Sequence, residues 1–218
     1  GHGCTLFVDE YRKRFRVCKL IITELLQMNN PSDAFRIVML GSSTGGLPVV
    51  EKLLHGLDPA KYSVLVAQHM PEGYTTMWAA RLDRNTPFVV VEAHSGMVIV
   101  PGTAYIAPGN RHMMLGRETP YRILISDDEP VNRFRPSIEM LFSSAEPHDH
   151  TRIIPVMMTG MCSDGVRAMV RLHSKGFLTM AQDEQSSVVF GMNREAIKKG
   201  GVQLVLSPDE MINYLNGL

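Results

Sequence analysis

The 218-residue sequence has few cysteines, no long apolar run and no excess of charge of either sign. Its three cysteines, Cys4, Cys18 and Cys162, cannot all pair within one chain, and no C-x-x-C spacing joins them. This pattern argues against a disulfide framework or a zinc site. No apolar segment reaches the ~18 residues that a membrane span needs, and the N-terminus lacks the pattern of a secretion signal. We therefore expect a cytoplasmic protein with reduced thiols and no insertion into membranes.

The sequence has 22 lysines and arginines and 22 aspartates and glutamates, so its positive and negative charges balance. No global field therefore attracts nucleic acid or an anionic membrane, and any partner has to be recognised locally. We expect no nucleic-acid partner, no metal and no cofactor. With 44% hydrophobic residues, the chain has enough apolar surface to bury a core.

The first 34 residues differ in pattern from the rest. Apolar residues recur at steps of three and four from Val8 to Leu25, with basic residues between them, which indicates an amphipathic helix. A breaker cluster, NNPSD at residues 29–33, follows it. We predict an N-terminal amphipathic helix and linker over residues 1–34, and a catalytic domain over residues 35–218.

From Phe35 onward, apolar runs alternate with helical patterns, which is typical of strands joined by crossover helices. The prediction is an α/β fold with a doubly wound, mostly parallel sheet. Between Met97 and Ser126, short apolar pieces broken by Pro-Gly pairs predict an inserted region of antiparallel hairpins. The predicted strands are 37–40, 64–66, 88–91, 153–158, 178–181 and 204–206. The predicted helices are 48–54, 75–82, 138–142, 166–172, 194–199 and 209–215.

The first predicted strand ends in the small residues GSSTGG at positions 41–46. Gly41 and Gly45 around Ser43 satisfy the G-x-S-x-G pattern of a strand-to-helix elbow, which exposes the serine oxygen. Ser43 is therefore a candidate nucleophile. A glycine-rich packing turn and a phosphate-binding loop are the alternatives for this stretch.

Ligands of open parallel sheets collect beyond the carboxyl ends of the strands. His69 follows the second predicted strand, and Asp164 follows the strand over residues 153–158. A serine needs an adjacent base, and the base needs a group that orients it, so Ser43, His69 and Asp164 are a candidate triad. Taken singly, His69 is explained as a strand-end residue and Asp164 as a helix cap. Three other histidines compete for the role of base: His94, His112 and His173.

Several segments together resemble the catalytic domain of the chemotaxis protein-glutamate methylesterase family, CheB. They are 41–46 (GSSTGG), 68–71 (QHMP), 107–113 (APGNRHM), 131–137 (VNRFRPS), 159–161 with 164–165 (TGM and DG), and 181–184 with 186–192 (AQDE and SSVVFGM). The resemblance runs in order from about Phe35 to the C-terminus. It implies a serine esterase that removes methyl groups from glutamate methyl esters on methyl-accepting chemotaxis receptors, and that in many members also deamidates receptor glutamines.

The resemblance implies a role for each matching position. Ser43 matches the nucleophile, His69 the general base, Asp164 the orienting acid, and Met161 the residue whose backbone N–H stabilises the oxyanion. Further candidates for substrate binding are the segment residues Thr44, Met70, Arg133, Arg135 and Met192. Met70, Met161 and Met192 are candidates to line a small methyl pocket. Arg133 and Arg135 suit an acidic receptor surface, with solvated loop arginines as the alternative.

The sequence departs from the family pattern at two positions, with Cys162 in place of a usual glycine and Asn193 in place of a usual proline. Cys162 puts in doubt the backbone freedom beside Met161. It is a filler, a second nucleophile or an oxidation target. We expect no phosphorylatable receiver domain in this chain, because residues 1–34 are too few to form one.

Two other functions remain open from the residues alone. A Rossmann-type nucleotide-binding module is suggested by the glycine-rich turn, although the turn does not follow G-x-G-x-x-G and the second strand ends in Gln68 and His69 rather than an acidic residue. A catalytically silent receptor-docking domain would follow if Cys162 distorted the oxyanion site.

Overall fold

A computed structural model describes residues 35–218 of the chain. The predicted N-terminal helix and linker lie outside these described residues. The strands are β1 (Arg36–Ser42), β2 (Tyr62–Gln68), β3 (Val89–Glu92), β4 (Thr103–Ile106), β5 (His112–Leu115), β6 (Ile123–Ser126), β7 (Ile153–Met157), β8 (Met180–Gln182) and β9 (Leu204–Leu206). The helices are α1 (Gly46–Gly56), α2 (Tyr74–Asn85), α3 (Ile138–Ser143), α4 (Val166–Ser174), α5 (Met192–Lys198) and α6 (Pro208–Asn216).

Seven strands form one sheet in the order β3-β4-β2-β1-β7-β8-β9, and every pairing in it is parallel. From β1 the chain builds one side of the sheet and then returns to β7 on the other side of β1. The order of the strands therefore reverses between β1 and β7, where the crevice of a doubly wound sheet lies. This confirms the predicted fold class.

The central strand β1 shows why both faces of the sheet are covered. Ile37 and Met39 belong to one apolar cluster, whereas Val38 and Leu40 belong to another, and all four are buried. Because side chains alternate along a strand, an unbroken apolar run needs a packed layer on each face. Helices α3, α4 and α5 supply one layer, and α1, α2 and α6 supply the other. Each fully buried aliphatic side chain contributes about 1.5–3 kcal/mol to this packing.

One part of the predicted hairpin region is wrong. Residues 103–106 form β4, which joins the main sheet in parallel, with Ala104 opposite both Val64 of β2 and Val90 of β3. Pro-Gly pairs bound this four-residue apolar run, and so short a run carries no signal of strand direction. The antiparallel prediction is confirmed for β5 and β6, which pair from His112 opposite Ser126 to Leu115 opposite Ile123.

The hairpin of β5 and β6 packs against α3, in the apolar layer on one face of the main sheet. Met113, Leu115 and Ile123 share the apolar cluster of α3, and the Leu115 N–H donates to Ser144 Oγ at 2.9 Å. Within residues 35–218, no helix combines the length and the apolar character required to cross a bilayer.

Candidate active site

Ser43 stands at the turn between β1 and α1. Gly45 has φ of 81° there, a left-handed conformation that glycine adopts without strain. A Cβ at Gly45 would lie 2.5 Å from Cβ of Val188, so the turn also has no room for a side chain. The Ser43 N–H donates to the Thr159 carbonyl at 3.0 Å, which fixes the turn against the end of β7. The elbow places Ser43 half-buried at the crevice.

A buried polar pair, Ser42 and Gln68, stabilises this turn. Ser42 Oγ donates to Gln68 Oε1 at 2.5 Å, and Gln68 Nε2 donates to the carbonyls of Ser43 at 2.9 Å and His69 at 3.2 Å. The His69 N–H in turn donates to the Ser42 carbonyl at 3.1 Å. The ends of β1 and β2 are thus tied together at the residues that carry the serine and the histidine. Neither Ser42 nor Gln68 is among the site residues predicted from the sequence.

The side chain of His69 bridges Ser43 and Asp164. Its Nδ1 lies 3.2 Å from Ser43 Oγ, and its Nε2 lies 2.9 Å from Asp164 Oδ2. An ionised carboxylate only accepts hydrogen bonds, so Nε2 carries the ring proton and Nδ1 presents its lone pair to the serine hydroxyl. The three predicted residues therefore form one hydrogen-bonded line, with Nδ1 as the basic atom.

Asp164 is fully buried and accepts hydrogen bonds from several segments. Its Oδ1 accepts from Asn132 Nδ2 and Ser137 Oγ, both at 2.8 Å, and from the Glu139 N–H at 3.3 Å. Its Oδ2 accepts from the Ile138 N–H at 2.6 Å in addition to His69. We call these donors of residues 132–139 the carboxylate cradle.

The cradle keeps this acid ionised. Burial raises the pKa of Asp164, but the hydrogen bonds from His69, Asn132, Ile138 and Ser137 outweigh burial and hold the pKa below its ordinary value of 3.8. Asp164 is thus a buried anion that can orient His69 and stabilise its cation.

Ile138 contributes to both sides of the site. Its N–H belongs to the cradle, and its side chain fills the space above two glycines. A Cβ at Gly41 would overlap Ile138 Cγ2, and a Cβ at Gly165 would lie 2.5 Å from the same atom. Helix α3 can approach the end of β1 and the start of α4 because Gly41 and Gly165 lack side chains there.

The loop over residues 131–137 brings two further residues to the site. Asn132 and Arg133 have φ of 54° and 72°, and Val131 and Phe134 exchange two backbone hydrogen bonds across them at 3.1 and 2.9 Å. This tight turn directs Asn132 to Asp164 and stacks Phe134 on the ring of His69. This segment belongs to the family resemblance, but neither Asn132 nor Phe134 is among the site residues predicted from the sequence.

The predicted oxyanion region lies beside Ser43. A Cβ at Gly160 would lie 2.9 Å from Cβ of Ser43, so this backbone packs closely on the nucleophile. Met161 follows it with an exposed side chain, and Thr44 is exposed on the other side. Among residues 35–218, the N–H groups of Met161 and Thr44 donate to no other backbone group. Both residues lie next to the serine, Thr44 as the following residue and Met161 after Gly160, whose backbone packs on Ser43.

Cys162 lies at the same histidine nitrogen as Ser43, with Sγ 3.9 Å from Nδ1 of His69. Burial raises the pKa of the thiol above its ordinary value of 9.0. A thiol that stays protonated is a poor nucleophile, which favours the filler role over the reactive ones. The hydrogen bond between Ser43 and His69 is present beside this side chain.

The remaining candidates are spread around the site. Met70 is half-buried against the apolar layer of α1, α2 and α6, and Met192 is fully buried beneath Gly160. Arg133 is exposed. Arg135 donates to Asn110 Oδ1 and to the carbonyls of residues 127 and 128, so its guanidinium holds the loop in place.

The competing histidines have other surroundings. His112 is fully buried, where Nδ1 accepts from the Ser137 N–H at 3.2 Å and Nε2 lies 3.1 Å from the Glu129 carbonyl. His173 contacts Thr179 Oγ1, and His94 is exposed. In the part of the chain that the structure describes, no group of three or more His, Cys, Asp or Glu side chains is arranged to hold a metal ion.

Comparisons with known proteins agree with this geometry. A family model described as CheB methylesterase matches residues 38–215. A protein-glutamate methylesterase/protein-glutamine glutaminase of group 3 operon from Bradyrhizobium diazoefficiens is 48% identical over 172 residues, which cover 78% of this chain and 47% of that protein. A protein of the same enzyme name, without the operon designation, from Pectobacterium atrosepticum is 41% identical over 185 residues, which cover 84% of this chain and 53% of that protein. The chain thus spans about half the length of the curated relatives it matches.

A solved structure shows the same fold. The crystal structure of the Thermotoga maritima CheB methylesterase catalytic domain matches with a TM-score of 0.80 and 31% sequence identity, over 84% of this chain and 98% of that one. None of these matches supports a nucleotide-binding module or a silent docking domain. On the family model, the relatives and the fold together, the chain belongs to the CheB methylesterase family.

Proposed function

We propose that this chain hydrolyses glutamate methyl esters on methyl-accepting chemotaxis receptors, releasing methanol, and that it deamidates receptor glutamines at the same site. The observation that carries this proposal is the hydrogen-bonded line of Ser43, His69 and Asp164 at the crevice of the sheet. The names of the curated relatives, which combine both activities, support it. The expected cytoplasmic location and the receptor as partner belong to the same proposal.

Acylation starts when Ser43 Oγ attacks the carbonyl carbon of the ester. The hydroxyl proton passes to Nδ1 of His69, and Asp164 stabilises the resulting imidazolium through Nε2. The carbonyl oxygen becomes an oxyanion, for which the N–H groups of Met161 and Thr44 are the proposed donors. The intermediate then collapses, the C–O bond to the methoxy group breaks, and His69 returns its proton to form methanol.

Deacylation repeats the sequence with water. Nδ1 of His69 takes a proton from water as the oxygen attacks the acyl carbon, and the bond to Ser43 Oγ breaks as the serine regains its proton. The product is a free glutamate carboxylate. With a glutamine substrate, His69 protonates the leaving nitrogen and ammonia departs in place of methanol.

The substrate side chain is expected to enter over an apolar rim. Met161 is 78% exposed and Val188 is 68% exposed, and these side chains project from the two loops that pack against Ser43 and Gly45. Arg133 is the proposed contact with an acidic receptor surface, because it is exposed close to the loop residues that reach Asp164 and His69.

Mass spectrometry of a methylated receptor fragment tests the proposal. The wild-type chain should convert methyl esters to carboxylates, and Ser43→Ala should reduce the rate at least ~10³-fold, as triads show when a member is removed. Ser174→Ala is the matched control, because Ser174 is exposed and its hydroxyl bonds only within α4. Undiminished turnover in Ser43→Ala would reject the proposed nucleophile, and the absence of conversion by the wild type would reject the substrate.

A further inference from the structure

Phe134 covers one face of the His69 ring. The two ring centroids are 3.7 Å apart and the planes differ by 1°. Phe134 is half-buried and its backbone is fixed by the paired hydrogen bonds with Val131. Arg135, the next residue, is anchored on Asn110 by two hydrogen bonds of 3.0 and 2.7 Å. The phenyl ring is therefore held against His69 by its own loop and does not depend on substrate.

The hydrogen bonds of His69 leave one motion of its ring unrestrained. They act at the edge of the ring, at Nδ1 and Nε2, and hold these two atoms near Ser43 and Asp164. A ring held at two atoms can still tilt about the axis through them, which rotates the plane of the ring and bends both hydrogen bonds slightly away from their best geometry. A parallel aromatic surface at van der Waals distance blocks this tilt on one side.

The same surface favours the charged form of the ring that arises during the reaction. When Ser43 attacks, His69 becomes an imidazolium, and a cation over the face of an aromatic ring is attracted by the ring quadrupole. The phenyl ring also keeps water off one face of the hydrogen-bonded pair of His69 and Asp164. Both effects strengthen in the transition state, so they act on kcat more than on KM.

We propose that Phe134 is a positioning residue for His69. It keeps the Nδ1 lone pair aligned with Ser43 Oγ and stabilises the imidazolium. The inference rests on the proposed function, because it assigns to His69 the role of general base. It extends that function to a loop residue that takes no part in the hydrogen-bonded line.

Aromatic and aliphatic replacements of Phe134 separate positioning from packing. Phe134→Leu and Phe134→Met keep an apolar side chain of similar size and should lower kcat about tenfold, which corresponds to about 1.4 kcal/mol, with KM within about twofold. Phe134→Tyr keeps the aromatic face and should retain kcat within about twofold. Two aliphatic variants are used so that a folding defect of one does not decide the outcome, and thermal unfolding verifies that each protein is folded.

Two readouts do not require the receptor. The rate at which a serine-directed organophosphonate labels Ser43 should fall about tenfold in the aliphatic variants and recover in Phe134→Tyr. In proton NMR spectra, the ring current of a stacked aromatic side chain should shift the ring protons of His69 upfield in the wild type and in Phe134→Tyr. These resonances should move downfield in Phe134→Leu.

The outcomes distinguish this inference from the proposed function. Aliphatic variants that keep wild-type kcat and labelling rates would overturn the role of Phe134, as would a Phe134→Tyr variant as slow as Phe134→Leu. If the wild type is labelled at Ser43 but converts no methylated receptor, the proposed substrate is rejected. The labelling rates of the Phe134 variants then test the role of Phe134 independently.

Discussion

The serine and the aspartate of the site are held by opposite means. The elbow at Ser43 is a contiguous stretch whose essential property is missing side chains, because Gly45 borders Val188 and Gly41 borders Ile138 without room for a Cβ. The carboxylate cradle of Asp164 is formed by donors from residues 132–139, far from Asp164 in sequence. The elbow thus depends on close packing against side-chain-free positions, in addition to its backbone hydrogen bonds, whereas the carboxylate depends on the donors that surround it.

This difference predicts opposite sensitivities. The elbow should fail when volume is added, since its neighbours are packed side chains. The cradle should fail when charge or a donor is removed, since a buried carboxylate depends on its hydrogen-bond partners. His69 depends on both, because it contacts Ser43 on one side and Asp164 on the other.

The largest effect is expected from Asp164→Asn, which retains the shape of the side chain and removes its charge. We expect kcat to fall about 10⁴-fold, as in other triads where the amide imposes the wrong tautomer on the histidine. The amide nitrogen would also face buried donors, which lowers the free energy of unfolding by about 1–3 kcal/mol. Ester hydrolysis and urea unfolding at neutral pH measure the two effects. Asp209→Asn, at an exposed carboxylate paired with Lys52, should change stability by less than about 1 kcal/mol.

Acid provides a second test of the same variant. The pKa of Asp164 is lowered in the folded protein, so its ionised form contributes stability that is present above about pH 4 and is lost as the pH falls through the lowered pKa. The wild type should therefore lose more of its free energy of unfolding on acidification than Asp164→Asn does. If the free energy of unfolding fell equally in the two proteins on acidification, the result would contradict an ionised Asp164 with a lowered pKa.

An intermediate effect is expected from Gly45→Ala at the elbow. The new Cβ would meet Val188 at 2.5 Å in a left-handed conformation, so the elbow that carries Ser43 and the loop that carries Val188 have to move apart. A misplacement of about 1 Å costs on the order of 10²-fold in rate, and we expect a loss of this size in kcat. Gly96→Ala is the matched control, since Gly96 has φ of 87° with nothing within 4 Å of its Cβ position. Recovery of kcat in Gly45→Ala/Val188→Gly, which removes the Val188 Cβ as well, would assign the loss to the contact, and equal losses in Gly96→Ala would contradict it.

The smallest effect is expected from Asn132→Gly in the cradle. Glycine adopts the left-handed conformation of Asn132 freely, so the variant removes the side-chain donor to Asp164 and, with it, the acceptor of a 3.4 Å hydrogen bond from Arg167 Nη2 at the exposed side of the loop. Because Ser137, Ile138 and Glu139 still bind the carboxylate, we expect a loss of about tenfold in kcat or less. Asn110→Gly replaces another left-handed asparagine that does not contact Asp164, and it removes the acceptor that anchors Arg135, so it measures the contribution of loop placement while the Asn132 donor is kept. A larger loss in Asn110→Gly than in Asn132→Gly would indicate loop placement instead of the donor.

Much of the fold could be predicted because its signals are local. The apolar run of β1 and the breaker residues after it fix a strand and a turn, and β1 extends only one or two residues beyond the predicted 37–40. The error at β4 has a physical cause, since the direction of a four-residue strand depends on β2 and β3 beside it. Nothing in the run itself encodes that partner choice.

The candidate site divides in the same way. The elbow and the strand-end positions of His69 and Asp164 follow from the order of strands and small residues in the sequence. The cradle and the stacking of Phe134 could not be predicted, because they depend on the path of a loop with two left-handed residues. The signal for Gln68 was available, since a polar side chain at the end of an otherwise apolar strand needs a buried partner, and Ser42 supplies it.

Ile138 links the elbow to the cradle. Its amide donates to the carboxylate, and its side chain packs on the strand that carries the serine. We therefore expect a substitution that displaces α3 to disturb both ends of the catalytic line together.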